Sequence, residues 1–310
     1  TVFFDWSSDV CSSDLKKLFQ GTSLRSPMKI RWDGKAEDGS VTEGLYTAAF
    51  EAGFEKGNRP TARTGQFLLD VSPPVVKLGL EPLPFSPDND GIADELAISI
   101  AVEDASAISN WSFTVTDRNG TPFNRFAGTG LPAETIRWDG RSATGELVIA
   151  AEDYPYVFTI SDTLGNRRDV KGLIPIDILV IRDGDRLKIK ISIITFSPNS
   201  ALVVLYDAET GFKNQSVLKR LVEVLTKYGN YQIRIEWHAN NVTGTAREET
   251  EELGPLSLAR AEEVRKALVE RGLGARRIEV EGKGGREMIF PFSDRENNWK
   301  NRRVEFILVK

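Results

Sequence analysis

A tetrapeptide, Arg-Trp-Asp-Gly, occurs at 31–34 and again at 137–140, and the repetition extends well past it on the C-terminal side. Each copy leads into a Gly-containing turn, Asp38-Gly39 and Thr144-Gly145. Each continues into a strand-like stretch with aromatics, Leu45 to Phe50 and Tyr154 to Ile160. Each ends in Gly-Asn-Arg, at 57–59 and 165–167. A shared order of features at matched spacing marks a repeated unit. Within the second copy, short β-rich runs (Leu96–Val102, Trp111–Asp117, Thr135–Trp138, Tyr156–Ser161) are separated by turn residues, which predicts a β-sandwich.

From about Arg186 the period changes. Leu187 to Thr195 alternates as a strand, and so do Tyr231–Trp237, Arg277–Val280 and Val304–Val309. Gln215 to Tyr228 carries Leu218, Leu221, Val222 and Leu225 at helical spacing, with Asn214 or Ser216 available as cap. Ser257 is the expected cap of a second helix to Glu270, which Gly272 ends. Ser293-Asp294-Arg295-Glu296 has capping-box spacing for a short helix. Strands alternating with helices predict an α+β domain with helices on one face of a mixed sheet.

Composition bounds the function. The 310 residues carry a formal charge of −5, with no basic excess to attract nucleic acid. No apolar run approaches the ~20 residues of a membrane helix. Thr1–Leu15 lacks periodicity and reads as a translated adapter scar rather than protein. Setting it aside removes Asp5, Asp9 and Asp14, taking −5 to −2, and removes Cys11, the one cysteine. The native N-terminus, with any signal or membrane anchor, is then expected upstream.

Three pieces of the C-terminal part converge on a polar site. Ile233-Arg234-Ile235-Glu236-Trp237-His238-Ala239-Asn240 brings a polar cluster to a strand end. Leu256-Ser257-Leu258-Ala259-Arg260-Ala261 opens a helix, and Asn301-Arg302-Arg303-Val304-Glu305 precedes the last strand. These resemble the OmpA-like peptidoglycan-binding domain, with its I-x-I-x-G-H-T-D, L-S-x-x-R-A and N-R-R-V-E pieces. The second and third match letter for letter. The first keeps only His238: Trp237 stands at the glycine, Ala239 at the threonine and Asn240 at the aspartate.

The resemblance implies a site of His238, Asn240, Arg260, Arg302 and Arg303 for the diamino acid of the peptidoglycan stem peptide. In that family the arginine takes a carboxylate, whose geometry its planar fork matches, and the aspartate takes the ammonium. Asn240 has no charge for that second task. The acidic run Glu248-Glu249-Thr250-Glu251-Glu252 is a possible substitute, or merely a solvated face. With Ser257 as cap, Arg260 would fall in the first helical turn, among free backbone donors. Trp237 either fills the ligand pocket or faces the other side of the sheet from His238. His238 is the one histidine, so it reads as an oriented strand-end residue rather than a zinc ligand or general base.

Trp111–Thr116, Asp117–Gly120, Trp138-Asp139-Gly140 and Asp162–Asn166 resemble the FlgD-like immunoglobulin-type module. Residues 16–73 correspond to the C-terminal half of one module, 74–180 to a complete one and 185–310 to the OmpA-like domain. The paired prolines at 73–74 make the joint stiff. Phe85-Ser86-Pro87-Asp88-Asn89-Asp90-Gly91 resembles the opening of bacterial surface β-modules. Asp88, Asp90, Asp94 and Glu95 are a calcium candidate, against the plainer reading of a turn held by its own side chains. Trp32 and Trp138 are expected to anchor cores, and Gly282-Lys283-Gly284-Gly285 to be a loop. No cofactor motif or nucleophile setting is present.

The expectation is a non-enzymatic cell-envelope protein. Its C-terminal domain would tether noncovalently to peptidoglycan on the periplasmic side of the outer membrane, and its β-modules would act as spacer or assembly surface. The alternative is an assembly or adhesion protein whose C-terminal domain binds another envelope protein.

Overall fold

A computed structural model describes residues 2–8, 32–36, 38–54, 56–192, 194–197 and 199–310. Arg31, Cys11 and most of the segments 1–15 and 16–31 lie outside the described residues. The first sheet pairs β1 (Val2–Ser8) with β2 (Gly44–Ala52), and β2 with β3 (Thr61–Arg63) and β4 (Phe67–Leu69).

The second unit has two sheets. β5 (Val75–Glu81), β6 (Leu96–Glu103) and β9 (Thr135–Trp138) form one, in that order. β7 (Ile108–Thr116), β8 (Pro122–Thr129), β10 (Asp153–Asp162) and β11 (Arg167–Pro175) form the other, in the order β11-β10-β7-β8. Leu96 and Ile98 of one sheet and Phe113, Val115, Phe158 and Ile160 of the other are buried in the same core. Alternation along β10 is strict, as a half-covered strand requires. β5, β8 and β11 were not evident in the sequence pattern: apart from buried Ile174 in β11, their residues are exposed or half-buried.

The repeated tetrapeptide folds the same way twice. Trp32 Nε1 donates to the Lys35 carbonyl at 2.8 Å, and Trp138 Nε1 to the Arg141 carbonyl at 2.8 Å. Asp33 and Asp139 each accept a backbone N–H two residues on, both at 3.1 Å. Gly34 and Gly140 have φ of +80° and +76°, the left-handed region that glycine enters without steric cost. Trp138 is buried against Phe85, and Trp32 packs on Tyr46 and Phe67. The Val71–Pro74 joint is bolted to the second unit. Asn166 Nδ2 donates to the Asp70 carbonyl, Ser106 Oγ to the Asp70 carboxylate and Arg168 Nε to the Pro74 carbonyl.

The C-terminal unit is a five-stranded mixed sheet in the order β12-β13-β16-β14-β15. Its strands are β12 (Ile181–Asp183), β13 (Arg186–Ile191), β14 (Gln232–His238), β15 (Ile278–Gly284) and β16 (Arg303–Val309). β14 and β15 are parallel, and the other pairs are antiparallel. Helix α1 (Thr210–Lys227) follows β13 and α2 (Gly254–Glu270) follows β14. Register makes the two faces opposites. Ile189, Phe306, Ile235 and Val280 stand in one cross-strand row, and Ile191, Val304, Trp237 and Gly282 in the next. The alternate residues, Lys190, Glu305, Glu236 and Glu281, line the other face. The helices cover the apolar face.

Three local expectations are corrected. Asn214 does not cap α1, which starts earlier. Asp207 accepts the N–H groups of Glu209 and Thr210, while buried Asn214 clamps Thr195 and the Val204 carbonyl. Ser257 does not cap α2 either. The chain is already helical upstream, with a π-helical turn at Glu248–Leu253 closed by Gly254 N–H to the Glu249 carbonyl. That wider turn accommodates Pro255, which cannot supply an N–H inside a helix. In the third, Asp294 rather than Ser293 accepts the N–H groups of Glu296 and Asn297.

Candidate ligand-binding site

Strand alternation divides the five expected residues between the two faces of the sheet. Trp237 points to the helix side and His238 to the other. Trp237, 4% exposed, forms a floor with Phe196, their rings edge-on at 4.7 Å. Over that floor lies Arg260, its guanidinium carbon 5.0 Å from the Phe196 ring centre and 5.6 Å from that of Trp237. Arg260 Nε donates to the Ser200 carbonyl at 3.0 Å. Cation–π contacts and one fixed hydrogen bond thus hold the fork in place. Burial, and the neighbouring positive charge of Arg302, push its pKa down from the usual arginine range. Among the described residues no carboxylate lies within ion-pair distance of Arg260.

Arg260 belongs to the body of α2 rather than its first turn, so it lacks the free backbone donors expected there. Three of the four glutamates of the acidic run are committed elsewhere. Glu248 accepts the N–H groups of Val242 and Thr243, and Glu249 accepts Gly285 N–H at 2.8 Å and lies 3.5 Å from Arg286. Glu251 pairs with Arg247.

Asn240 is part of a closed amide relay. Asn301, fully buried, accepts the N–H groups of Ile289 and Phe290 at its Oδ1. Its Nδ2 donates to the Phe290 carbonyl and to Asn240 Oδ1, each at 2.7 Å. Asn301 is the first letter of the N-R-R-V-E piece, but nothing in the spacing shows its role. Phe196 and Ser200 were also missed, because they come from an irregular segment without a periodic signal.

On the opposite face, His238 and Arg303 are cross-strand partners. Arg303 is buried and donates to Glu305 Oε1 at 2.6 Å and to the Glu287 carbonyl. Burial pushes Glu305 up, but Lys188 at 2.5 Å and Arg303 more than offset it, holding its pKa at about 2. His238 is 0% exposed, with neither ring nitrogen hydrogen-bonded. Burial, and then Arg303, lower its pKa to about 4, so its 3.8 Å approaches to Glu236 and Glu305 are not ion pairs at neutral pH. Glu236, His238 and Glu287 each bring a donor atom within 4.8 Å of the others. However, Lys283 Nζ lies 3.7 Å from Glu236 and 3.3 Å from Glu287, so an ammonium already balances these acids.

In the second unit, Asp88, Asp90 and Asp94 also bring oxygens within 4.8 Å. Asp90 and Asp94 shape the turn, and Asp88 ties it to a distant segment. Asp94 accepts the N–H groups of Asn89 and Gly91, Asp90 that of Ile92 and Asp88 that of Val180. Glu95 stands apart, paired with Arg137 at 2.8 Å.

The site is thus a cationic patch over an aromatic floor, on the helix-covered side of a mixed α/β sheet. Residues 210–302 match the OmpA family. Among solved structures, the chain is similar to a MotB-like protein from Desulfovibrio vulgaris, with 23% identity over 43% of this chain and 81% of that one, at a TM-score of 0.36. It is also similar to the cell wall anchor of the T6SS from Pseudomonas aeruginosa, with 28% identity, coverage of 42% and 86%, and a TM-score of 0.34. The peptidoglycan-associated lipoprotein from Burkholderia pseudomallei matches at 23% identity, coverage of 37% and 88%, and a TM-score of 0.30. No curated protein matches the chain.

Proposed function

We propose that the C-terminal unit, residues 185–310, holds peptidoglycan noncovalently through Arg260, and that the β-units before it, read as FlgD-like modules, serve as spacer. The observation that carries this reading is the state of Arg260. A half-buried guanidinium, fixed by two aromatic rings and a backbone carbonyl, with no carboxylate partner among the described residues, is a preformed receptor for a carboxylate. Its position falls within the span that matches the OmpA family. Arg302 adds a second positive charge beside it. His238 and Arg303 support the sheet from the other face and are not proposed to touch the ligand. The reading places the protein on the periplasmic side of the outer membrane and involves no bond-making chemistry.

The test is co-sedimentation of the full chain with purified sacculi. Wild type is expected in the pellet. Arg260→Ala is expected to stay in the supernatant, and Arg260→Lys to bind at least tenfold more weakly, because a lysine cannot present two parallel donors. A wild-type chain that stays in the supernatant, or an Arg260→Ala chain that pellets equally, overturns the reading.

A further inference from the structure

A cavity of about 660 Å³ lies between the second β-unit and the C-terminal unit, on the opposite side of the sheet from Arg260. That volume suits a small molecule, and such sites gather at domain interfaces. Both units build its walls: the 146–150 segment before β10 from one, and β13 with the loop after β15 from the other. Most of the wall is aliphatic. Val148, Ala150 and Leu179 are buried, while Ile289, 47% exposed, marks the solvent side. Phe290 is the one aromatic ring in the wall, and Lys300 Nζ already lies 5.3 Å from its centre. The charges are unbalanced. Lys300 closes on Glu146 at 2.6 Å. Lys188 and Arg303 close on Glu305, at 2.5 and 2.6 Å. Lys190 reaches that same carboxylate only at 3.9 Å, and its side chain is 53% exposed. Asp183, exposed on β12, acts on Lys190 from beyond ion-pair distance. Burial pushes the Lys190 pKa down, and Lys188 and Arg303 push the same way against Glu305. Three cations thus share one carboxylate at the edge of an aliphatic cavity.

We propose that this cavity binds an aliphatic carboxylate, with its head at Lys190 and its chain along Val148, Leu179 and Ile289. An anion beside Lys190 supplies the charge that Glu305, already engaged twice, cannot. The chain leaves water for walls that are already apolar. A cation on the same chain meets the surplus positive charge. A short acid gains the head contact without the burial. The site is separate from the Arg260 patch, and neither needs the other. Because the walls come from both units, the bound acid holds the two together and stabilises the folded chain.

The experiment is calorimetric titration of the full chain with decanoate, kept below its micellar range, with thermal melts of the same samples. Wild type is expected to saturate at one equivalent and to melt at a higher temperature when loaded. Decylamine, with the opposite head, and acetate, without the chain, are expected not to saturate. Lys190→Glu and Ile289→Asp change exposed side chains, so each is expected to melt like wild type without ligand. Each should bind decanoate at least tenfold more weakly, one through the head and the other through the chain. Arg260→Ala should bind it as wild type does. Absence of saturable decanoate binding overturns the proposal, and so does equal binding of decylamine. Unchanged affinity in both Lys190→Glu and Ile289→Asp places the acid elsewhere and overturns it too. Loss of binding in Arg260→Ala assigns the acid to the Arg260 patch, and the proposal fails while the tether reading stands.

Discussion

At the residue scale the most exacting group is His238. It is fully enclosed, its ring nitrogens lack hydrogen-bond partners, and Glu236, Glu305, Arg303 and Lys188 all act on it across the sheet. Its pKa is lowered from 6.5 to about 4, so between those values the unfolded chain binds a proton that the folded chain refuses. Stability therefore falls as pH drops from about 6.5 towards 4, by up to roughly 3 kcal/mol. Glu305, whose pKa is lowered to about 2, contributes stability that is lost only below its unfolded value of 4.5, so of the two groups only His238 acts between pH 6.5 and 4.5. Denaturant titrations across pH 4–7 should show this slope in wild type and a flattened one in His238→Asn. An unchanged slope in the variant would assign the effect elsewhere. The sequence singles out His238 as important. It does not show that alternation places it on the far face from Arg260, because one residue of register decides the face.

At the element scale, α2 rests directly on the backbone of β15. A Cβ on Gly282 would lie 2.5 Å from Leu258 N and 2.7 Å from the Gly254 carbonyl, both backbone atoms that cannot rotate away. Gly282 is thus a strand residue whose missing side chain lets the helix rest on the sheet, and not part of a loop as its Gly-rich surroundings suggest. Beside it in the same row stands Trp237, whose bulk forms the floor under Arg260. Gly282→Ala should cost about 1–3 kcal/mol by overpacking. It should also weaken sacculus binding, since α2 carries Arg260. Thermal melts and co-sedimentation of the same preparation would check both effects. Full stability in the variant would show that the helix can shift without loss. Helix and strand types were legible because period 3.6 and period 2 are local signals. The start of α2 was not, because a π-helical turn lets helix continue through Pro255.

At the scale of the whole molecule, the second β-unit and the C-terminal unit share a built interface. Asp177 receives Arg220 through two bonds, at 2.8 and 2.6 Å, and Lys300 meets Glu146 at 2.6 Å. The Arg118 guanidinium lies 5.1 Å over the Trp299 ring, and Ala150 bridges to Ile191. Between the units is a cavity of about 660 Å³, lined in part by Val148, Leu179, Lys188, Phe290 and Arg303. Burial pushes the Asp177 carboxyl up, but Arg220 holds it below the usual range. Arg220→Ala should cost roughly 1–2 kcal/mol, screened by the partial exposure of the arginine. Combined with Lys300→Ala, it should split one unfolding transition of these two units into two. A single transition in the double variant would show that the apolar contacts alone couple them. No helix among the described residues is long and apolar enough to cross a membrane.

The sequence by itself determined what depends on near neighbours. It determined the repeated Trp-Asp-Gly turns, where each tryptophan bonds a carbonyl three residues on. It also determined the switch from strand to strand-and-helix periodicity near Arg186, and the presence of Arg260 together with an asparagine, Asn240, where the OmpA-like pattern has aspartate. Tertiary structure decided the rest. It sent His238 and Arg303 to one face and Arg260 to the other, supplied Phe196 and Ser200 from a distant irregular segment, and tied Asn240 to buried Asn301. Those outcomes depend on register and on hydrogen-bond partners far apart in the chain, and local patterns carry neither.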